Sequence, residues 1–162
     1  MINRRAFFSS LTALGVWPFT SGSPDMKSSS VSSQQKANEA VVRRYANAWE
    51  KNDVATIVDC YHDEVVFHYF GRSPLAGTHM GKPAALAVLK KIKQLTNRQL
   101  IEIVDVLASD KHAMILARER FERGGRTLEL KRVLIYHIRD GKLAECWVYD
   151  EDQRAVDEYY SG

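Results

Sequence analysis

The C-terminal half of the chain contains three or four consecutive segments rich in β-branched and aromatic residues, and this pattern limits the possible folds more than any other feature. Short polar or glycine turns separate the segments, at Ser109-Asp110, Gly124-Gly125 and Asp140-Gly141. Asp-Gly is a strong signal for a tight hairpin, and strands joined by such short turns pair antiparallel. The sequence therefore predicts an antiparallel meander made of the segments 100–108, 112–122, 126–139 and 142–149.

The part of the chain before this meander is mainly helical by its pattern. Tyr45 and Trp49 lie on one apolar stripe that begins at Ala37, which predicts an amphipathic helix ending near Asn52. Helices and strands that are segregated along the chain indicate an α+β fold, and a bent sheet over a helix leaves an open mouth where small ligands bind. The further predicted elements are a short helix at 54–61, a strand at 65–70, a loop at 71–77, a helix at 83–97 and a last helix at 152–160.

The N-terminus has the anatomy of an export signal. Arg4-Arg5 precede a modest apolar stretch, Leu11 to Phe19, and small residues follow it. The arginine pair, with two phenylalanines close behind, resembles the twin-arginine signal of bacteria. The alternative is an accidental basic, apolar start of a cytosolic protein. We expect a periplasmic or secreted protein with a twin-arginine-type export signal at 1–24, a flexible Ser-rich linker at 25–36 and one folded domain at 37–162.

Charge and residue spacing argue against several classes of partner. The formal net charge is +3, but four of the 23 Lys/Arg and one of the 20 Asp/Glu lie in 1–36, so the rest is neutral. A neutral domain offers no basic surface for nucleic acid. No apolar run is long enough to span a bilayer, so we expect no membrane contact after signal removal. The His and Cys residues fit no metal motif and no glycine loop cradles phosphate, so neither a metal nor a cofactor is expected.

Cys60 and Cys146 are the only cysteines of the chain. In an oxidising compartment they could pair, and closing so long a loop would contribute about 4 kcal/mol. Two cysteines from distant elements rarely meet the geometry of a disulfide by chance, and a free buried cysteine is ordinary. We therefore favour two unpaired thiols.

An ordered set of short motifs spans residues 37–160. The motifs are Val42-Arg43-Arg44-Tyr45, Ala48-Trp49, Asn52-Asp53, Tyr61-x-Asp63-Glu64, Gly71-Arg72-Ser73-Pro74-Leu75-Ala76-Gly77, Asp140-Gly141-Lys142-Leu143-Ala144-Glu145-Cys146-Trp147 and Tyr149-Asp150. Together they resemble the SnoaL-like branch of the nuclear-transport-factor-2-like superfamily. The resemblance implies a cone-shaped fold with helices packed against a curved, mostly antiparallel sheet, a pocket for a small hydrophobic molecule, and a homodimer formed through the sheet. Members are isomerases, dehydratases, cyclases, epoxide hydrolases or domains without known catalysis.

The ketosteroid isomerases of this superfamily match the chain only in part. Tyr45 lies where they keep the tyrosine of the first helix that donates to the oxyanion. Tyr69-Phe70 replaces their proton-shuttling aspartate, and Arg132-Val133 replaces their second, protonated aspartate. Trp147 matches a pocket-side tryptophan of their last strand. The resemblance therefore does not imply steroid isomerisation by that mechanism.

Two other activities of the superfamily point to further residues. The SnoaL-type cyclases place an acid–base aspartate in the cavity, and Asp150 is the nearest candidate by local pattern. The epoxide hydrolases of this fold use an arginine flanked by two aspartates. Arg118 and Arg132 are present, but strand alternation suggests no aspartate facing either of them.

We predict Tyr45, His68 and Asp150 as catalytic candidates, and the ligand pocket is predicted to contain Trp49, Tyr69, Arg132 and Trp147. Each catalytic candidate has a plain alternative: core packing for Tyr45, a rim position for His68, and capping of the last helix for Asp150. Alternation also places His68 and Tyr69 on opposite faces of their strand. Trp147 and Asp150 can share one face only if a bulge or strand end lies between them. An enzyme, a binding module and an oligomeric scaffold all remain open.

Overall fold

The computed structural model describes residues 31–161, and the elements named below lie in this range. The predicted export signal at 1–24 lies outside the described residues. None of the described helices is long and apolar enough to cross a bilayer. In chain order the elements are α1 (Ser33–Glu50), α2 (Val54–Cys60), β1 (Tyr61–Tyr69), β2 (Gly77–Met80), α3 (Lys82–Leu95), β3 (Gln99–Ala108), β4 (His112–Arg123), β5 (Arg126–Arg139), β6 (Lys142–Asp150) and α4 (Gln153–Ser161).

The six strands form one mixed sheet in the order β2-β1-β6-β5-β4-β3. Strands β3 to β6 form the predicted antiparallel meander, and β2 pairs antiparallel with β1. Strand β1 runs parallel to β6, with Phe67 beside Cys146, and this long-range pairing was not predicted. Two register shifts in β3 bend its end of the sheet, as bulges do. The predicted α+β fold with a curved, mostly antiparallel sheet is confirmed.

The two faces of the sheet differ in burial. Along β6, buried Cys146 and Val148 alternate with the more exposed Trp147 and Tyr149. The buried face carries the hydrophobic core and packs against α1, where Tyr45 reaches the ring of Tyr136 at a centroid distance of 5.5 Å. We call the face that packs against α1 the inner face and the opposite one the outer face.

Helix α1 begins at Ser33, before the predicted start at Ala37, so residues 33–36 of the predicted linker belong to it. Polar contacts explain the earlier start. The side chain of Ser32 accepts a hydrogen bond from the Gln35 N–H and caps the helix. Buried Asn38 donates from Nδ2 to the carbonyl oxygen of Ser109, over 2.9 Å. A search for apolar spacing cannot detect this first turn, because polar hydrogen bonds hold it.

The Asp140-Gly141 turn has the geometry that its sequence predicts. Asp140 has φ of 53° and Gly141 has φ of 67°. Positive φ at both central residues matches the twist of the flanking strands, which is why Asp-Gly favours this hairpin. The turn fixes the register of β5 against β6 and so decides which of their residues face each other.

Candidate functional site

Arg132 is the central charged residue of the inner face. It lies on β5 between Leu130 and Leu134 and is 2% exposed. Asp150 lies directly opposite on β6, and its Oδ1 accepts a hydrogen bond from Nε of Arg132 over 2.7 Å and lies 2.7 Å from Nη2 as an ion pair. The expectation that no aspartate faces Arg132 is therefore wrong. Strand β6 extends one residue further than predicted, so Asp150 ends the strand on the same face as Val148.

Glu119 extends this ion pair across the sheet. It is fully buried on β4, and its Oε2 lies 3.1 Å from Nη1 of Arg132. Its other oxygen accepts from Nε of Arg98 over 2.9 Å. Neither Arg98 nor Glu119 is among the site residues predicted from the sequence. The sequence contained a signal for Glu119, because strand alternation places this charged residue on the same apolar face of β4 as Ala117 and Phe121.

These charged residues and one tyrosine form a continuous row on the inner face, which we call the inner polar belt. Its members, across β1, β6, β5, β4 and the residue before β3, are Tyr69, Asp150, Arg132, Glu119 and Arg98. Tyr69 joins the row because it is paired with Val148, two residues before Asp150. The two guanidinium groups and two carboxylates of the belt cancel in formal charge. A group that enters the belt therefore meets strong local dipoles without net charge.

The pKa values in the belt follow from burial and pairing. Burial alone would lower the pKa of Arg132, but the Glu119 and Asp150 carboxylates outweigh it and raise the pKa above its usual range. Burial would also lower the pKa of Arg98, but the Glu119 carboxylate outweighs this effect and raises the pKa above its usual range. Burial raises the pKa of Tyr69, against the opposing charges of Arg132 and Arg98. The belt thus keeps both guanidinium groups charged and the phenol protonated.

Two charged atoms of the belt lack an aligned hydrogen bond. Oε2 of Glu119 and Nη1 of Arg132 are both fully buried, and neither has a hydrogen-bond partner among residues 31–161 despite their separation of 3.1 Å. The hydroxyl of Tyr69, a residue only 8% exposed, also makes no hydrogen bond within the described part of the chain. Two donors and one acceptor of the belt therefore lack an aligned hydrogen bond within the described residues.

Tyr45 lies on α1 and packs against the inner face in a separate cluster of tyrosines. Its hydroxyl is hydrogen-bonded to that of Tyr61 over 2.7 Å, and its ring lies 5.5 Å from the rings of both Tyr61 and Tyr136. Burial raises the pKa of Tyr45, although the hydrogen bond to Tyr61 opposes this. Trp49 connects the cluster to the belt, because the guanidinium carbon of Arg98 lies 4.9 Å from the centroid of its ring.

Two predicted site residues lie on the outer face. His68 and Trp147 stack with 5.6 Å between ring centroids and 12° between planes. The register from Glu145 to Asp150 is regular, so no bulge brings Trp147 to the face of Asp150. The seven predicted residues therefore do not form one site. The structure brings five of them to the inner side, namely Tyr45, Trp49, Tyr69, Arg132 and Asp150.

The alternative role of Asp150 as a helix cap is also excluded. Asp152, not Asp150, accepts a hydrogen bond from the N–H of Ala155, over 2.9 Å, in the first turn of α4. The carboxylate of Asp150 is directed at Arg132 instead.

Both cysteines are buried and unpaired. Burial raises the pKa of the Cys146 thiol to about 12, so it is protonated and unreactive near neutral pH. No group of three or more His, Cys, Asp or Glu residues within 31–161 is arranged to hold a metal ion. A wide, open depression of about 410 Å³ lies elsewhere, along Arg43 and Asn47 of α1 and Lys51 just after it, and contains no belt residue.

Comparison with known proteins relates the chain to one family and one fold. Residues 42–146 match the SnoaL-like domain family. No curated protein matches the chain. Bal32a from a soil-derived mobile gene cassette is 25% identical, with a TM-score of 0.68 over 78% of this chain and 98% of its own.

Two further solved structures share the fold. A protein of unknown function with a cystatin-like fold from Xanthomonas campestris is 25% identical, with a TM-score of 0.70 over 75% of this chain and 95% of its own. An LEH-like epoxide hydrolase of M. tuberculosis is 13% identical, with a TM-score of 0.60 over 79% of this chain and 92% of its own.

Proposed function

The chain belongs to the SnoaL-like domain family, and from this premise we propose that it binds a small, partly apolar molecule against the inner polar belt and performs acid–base chemistry on it without a cofactor. The observation that carries the proposal is the pair of fully buried atoms Arg132 Nη1 and Glu119 Oε2, which lie 3.1 Å apart as an ion pair but have no hydrogen-bond partner among residues 31–161. A buried polar atom without a hydrogen bond costs about 1–3 kcal/mol, and more for a charged group. A ligand that supplies the missing hydrogen bonds recovers this cost.

A purely structural role explains the belt less well. Replacing buried ion pairs by apolar residues of similar volume is often neutral or stabilising, so a core gains little from such a row of charges. Charged groups gathered in a buried site are typical of binding and catalysis. The aromatic rings of Trp49 and Tyr45 provide an apolar wall beside the belt.

Among the reactions known for this fold, hydrolysis of an epoxide fits the belt best. Arg132 lies between the carboxylates of Asp150 and Glu119, which resembles the arginine between two aspartates expected for such hydrolases, with a glutamate in place of one aspartate. Asp150 accepts a proton from water as the hydroxide attacks a ring carbon. The C–O bond of the ring breaks, and Tyr69 donates a proton to the released oxygen, yielding a diol. The proton taken by Asp150 then restores Tyr69 through solvent.

This function is tested with styrene oxide and a panel of small cyclic epoxides, with the diol product measured by chromatography and mass spectrometry. We expect turnover by the wild type, with a loss of about 10²–10⁴-fold in kcat/KM for Asp150→Asn. Glu129→Gln is the matched control, because Glu129 pairs with Arg118 on the surface. Equal turnover by Asp150→Asn and the wild type would exclude the acid–base role.

A non-catalytic binding domain is the second candidate, and one observation favours it. Two of the groups that could exchange protons with a substrate are already engaged, since Asp150 pairs with Arg132 and Tyr45 pairs with Tyr61. In this case native mass spectrometry of the purified protein detects a bound apolar molecule, while no epoxide is consumed. Loss of that ligand in Tyr69→Phe would then identify the belt as its binding site.

We also propose that residues 1–24 direct export by the twin-arginine route. The adjacent Arg4 and Arg5 ahead of the apolar stretch support this. A fusion of residues 1–36 to a reporter that is active only after folded export should be exported in the wild type and retained when both arginines are changed to lysine. Unchanged export of the double variant would rule out the twin-arginine route.

A further inference from the structure

We propose a second reaction centre on the outer face of the sheet, in which Thr78, His68 and Glu145 form a hydroxyl–imidazole–carboxylate relay that hydrolyses small, neutral, apolar esters. The three residues come from β2, β1 and β6 and share no member with the inner polar belt. The proposal is therefore independent of the function proposed for the belt.

The distances within the relay fit nucleophile activation. Oγ1 of Thr78 lies 3.2 Å from Nδ1 of His68, and Nε2 of His68 lies 2.7 Å from Oε1 of Glu145. A carboxylate only accepts hydrogen bonds, so Nε2 carries the proton donated to Glu145. Nδ1 is then unprotonated and accepts the hydroxyl hydrogen of Thr78. A hydroxyl, a base and a third group that orients the base are the components of an activated nucleophile.

The sheet register creates this alignment. Thr78 lies directly opposite His68 in the antiparallel β1–β2 pair, and Glu145 lies beside Val66 in the parallel β1–β6 pair. The stacked ring of Trp147 holds the plane of the His68 imidazole. The side chains of His68 and Glu145 are 22% and 34% exposed, so the relay is held by packing on one side and accessible from the other.

The edge position of β2 supplies a donor for a developing oxyanion. The N–H of Gly81 donates to the carbonyl oxygen of Val65, which marks a hydrogen-bonded pair. Hydrogen-bonded and non-hydrogen-bonded pairs alternate in antiparallel strands, so Thr78 and His68 form a non-hydrogen-bonded pair. The N–H of Thr78 then points away from β1, toward the free edge of the sheet. It can donate to a tetrahedral oxyanion formed at its own hydroxyl.

The surroundings favour a neutral, apolar acyl group. Met80 is two residues from Thr78 on the same strand and is 74% exposed. Trp147 borders the relay on the opposite side. An ester carbonyl would lie between these two apolar side chains, whereas an anionic substrate would meet the carboxylate of Glu145.

The reaction balances without a cofactor. Oγ1 of Thr78 attacks the ester carbonyl carbon while its proton moves to Nδ1 of His68. The C–O bond to the alcohol breaks, and the leaving oxygen takes that proton, giving an acyl-threonine and an alcohol. Water then attacks the acyl carbon with His68 as base, the bond to Oγ1 breaks, and Thr78 recovers its proton as the carboxylic acid leaves.

Hydrolysis of p-nitrophenyl acetate and butyrate by the full chain tests the relay. We expect Thr78→Val and His68→Gln each to lower kcat/KM by about 10²-fold or more, and Thr78→Ser to restore activity. His62→Gln should not affect the rate, because His62 lies earlier on β1 and contacts Arg139 rather than a hydroxyl. A fluorophosphonate probe should label Thr78, located by peptide mass spectrometry, in the wild type and not in His68→Gln.

Three results would overturn the relay. Activity that survives in Thr78→Val but is lost in His68→Gln would mean that the imidazole acts alone. Equal losses in His62→Gln and His68→Gln would mean hydrolysis by surface histidines in general. A wild type no faster than Thr78→Val, with no probe adduct, would mean that the relay is only a set of structural hydrogen bonds.

Discussion

At the scale of single residues, the charge of Arg132 is the feature on which the inner face depends. A buried guanidinium is tolerated only while carboxylates compensate it, and here Asp150 and Glu119 do so from two neighbouring strands. Glu119 also compensates Arg98, so one carboxylate serves two cations. Removing the Glu119 carboxylate leaves two buried guanidinium groups without full charge compensation. Removing a surface carboxylate leaves partners that water can solvate.

We therefore predict that Glu119→Gln lowers the free energy of unfolding by about 3–5 kcal/mol, the cost of breaking a buried pair from one side. Urea titration followed by circular dichroism measures it. Glu129→Gln, whose partners Arg118 and Arg120 lie on the surface, should cost no more than about 1 kcal/mol. Similar losses in the two variants would show that Glu119 is not a buried counter-ion.

At the scale of elements, the sequence predicted those features that neighbouring residues specify. The hairpins of the meander were predictable because their turns have characteristic residues, as at Asp140-Gly141. The parallel pairing of β1 with β6 was not, because no local signal specifies a partner so distant in sequence. The same limit applies to the site: alternation separates Tyr69 from His68, but the contact of Arg98 with Glu119 depends on how β3 approaches β4.

The junction of α1, α2 and β6 should give the protein a distinct acid sensitivity. Asp59 accepts from Lys142 and Arg44, and these hydrogen bonds lower its pKa from 3.8 to about 2. A carboxylate with a lowered folded-state pKa stabilises the fold above its unfolded-state pKa, and this stabilisation is lost as the pH falls toward 2. Asp59→Asn should thus weaken the pH dependence of unfolding between about pH 4 and 2. An unchanged pH profile of the melting temperature in that interval would contradict this role.

At the scale of the whole molecule, the two faces of one sheet have different roles. The inner face combines the core with the belt, while the outer face carries the relay at the β1–β2 edge and apolar side chains toward β3. Leu107 is among these, with about half of its side chain exposed. It is paired with Met114, which is paired in turn with Ile135, and Leu116 lies two residues further along β4. Exposed apolar side chains gathered on one face are typical of a protein–protein interface.

We predict that this part of the outer face forms a homodimer interface. Size-exclusion chromatography with light scattering should give a dimer for the wild type. Leu107→Asp should give a folded monomer, since a charge at an apolar interface opposes association. Lys131→Asp, at an exposed position of β5, is the control for a charge added elsewhere on the same face. A monomeric wild type would exclude the dimer.

An experimental crystal structure of the purified protein tests most directly whether the belt holds a polar group between Tyr69, Arg132 and Glu119. We predict a ligand atom or an ordered water within about 2.7–3.2 Å of Nη1 of Arg132 and Oε2 of Glu119. A direct, aligned hydrogen bond between those two atoms, with side chains filling the space beside the Tyr69 hydroxyl, would contradict the claim.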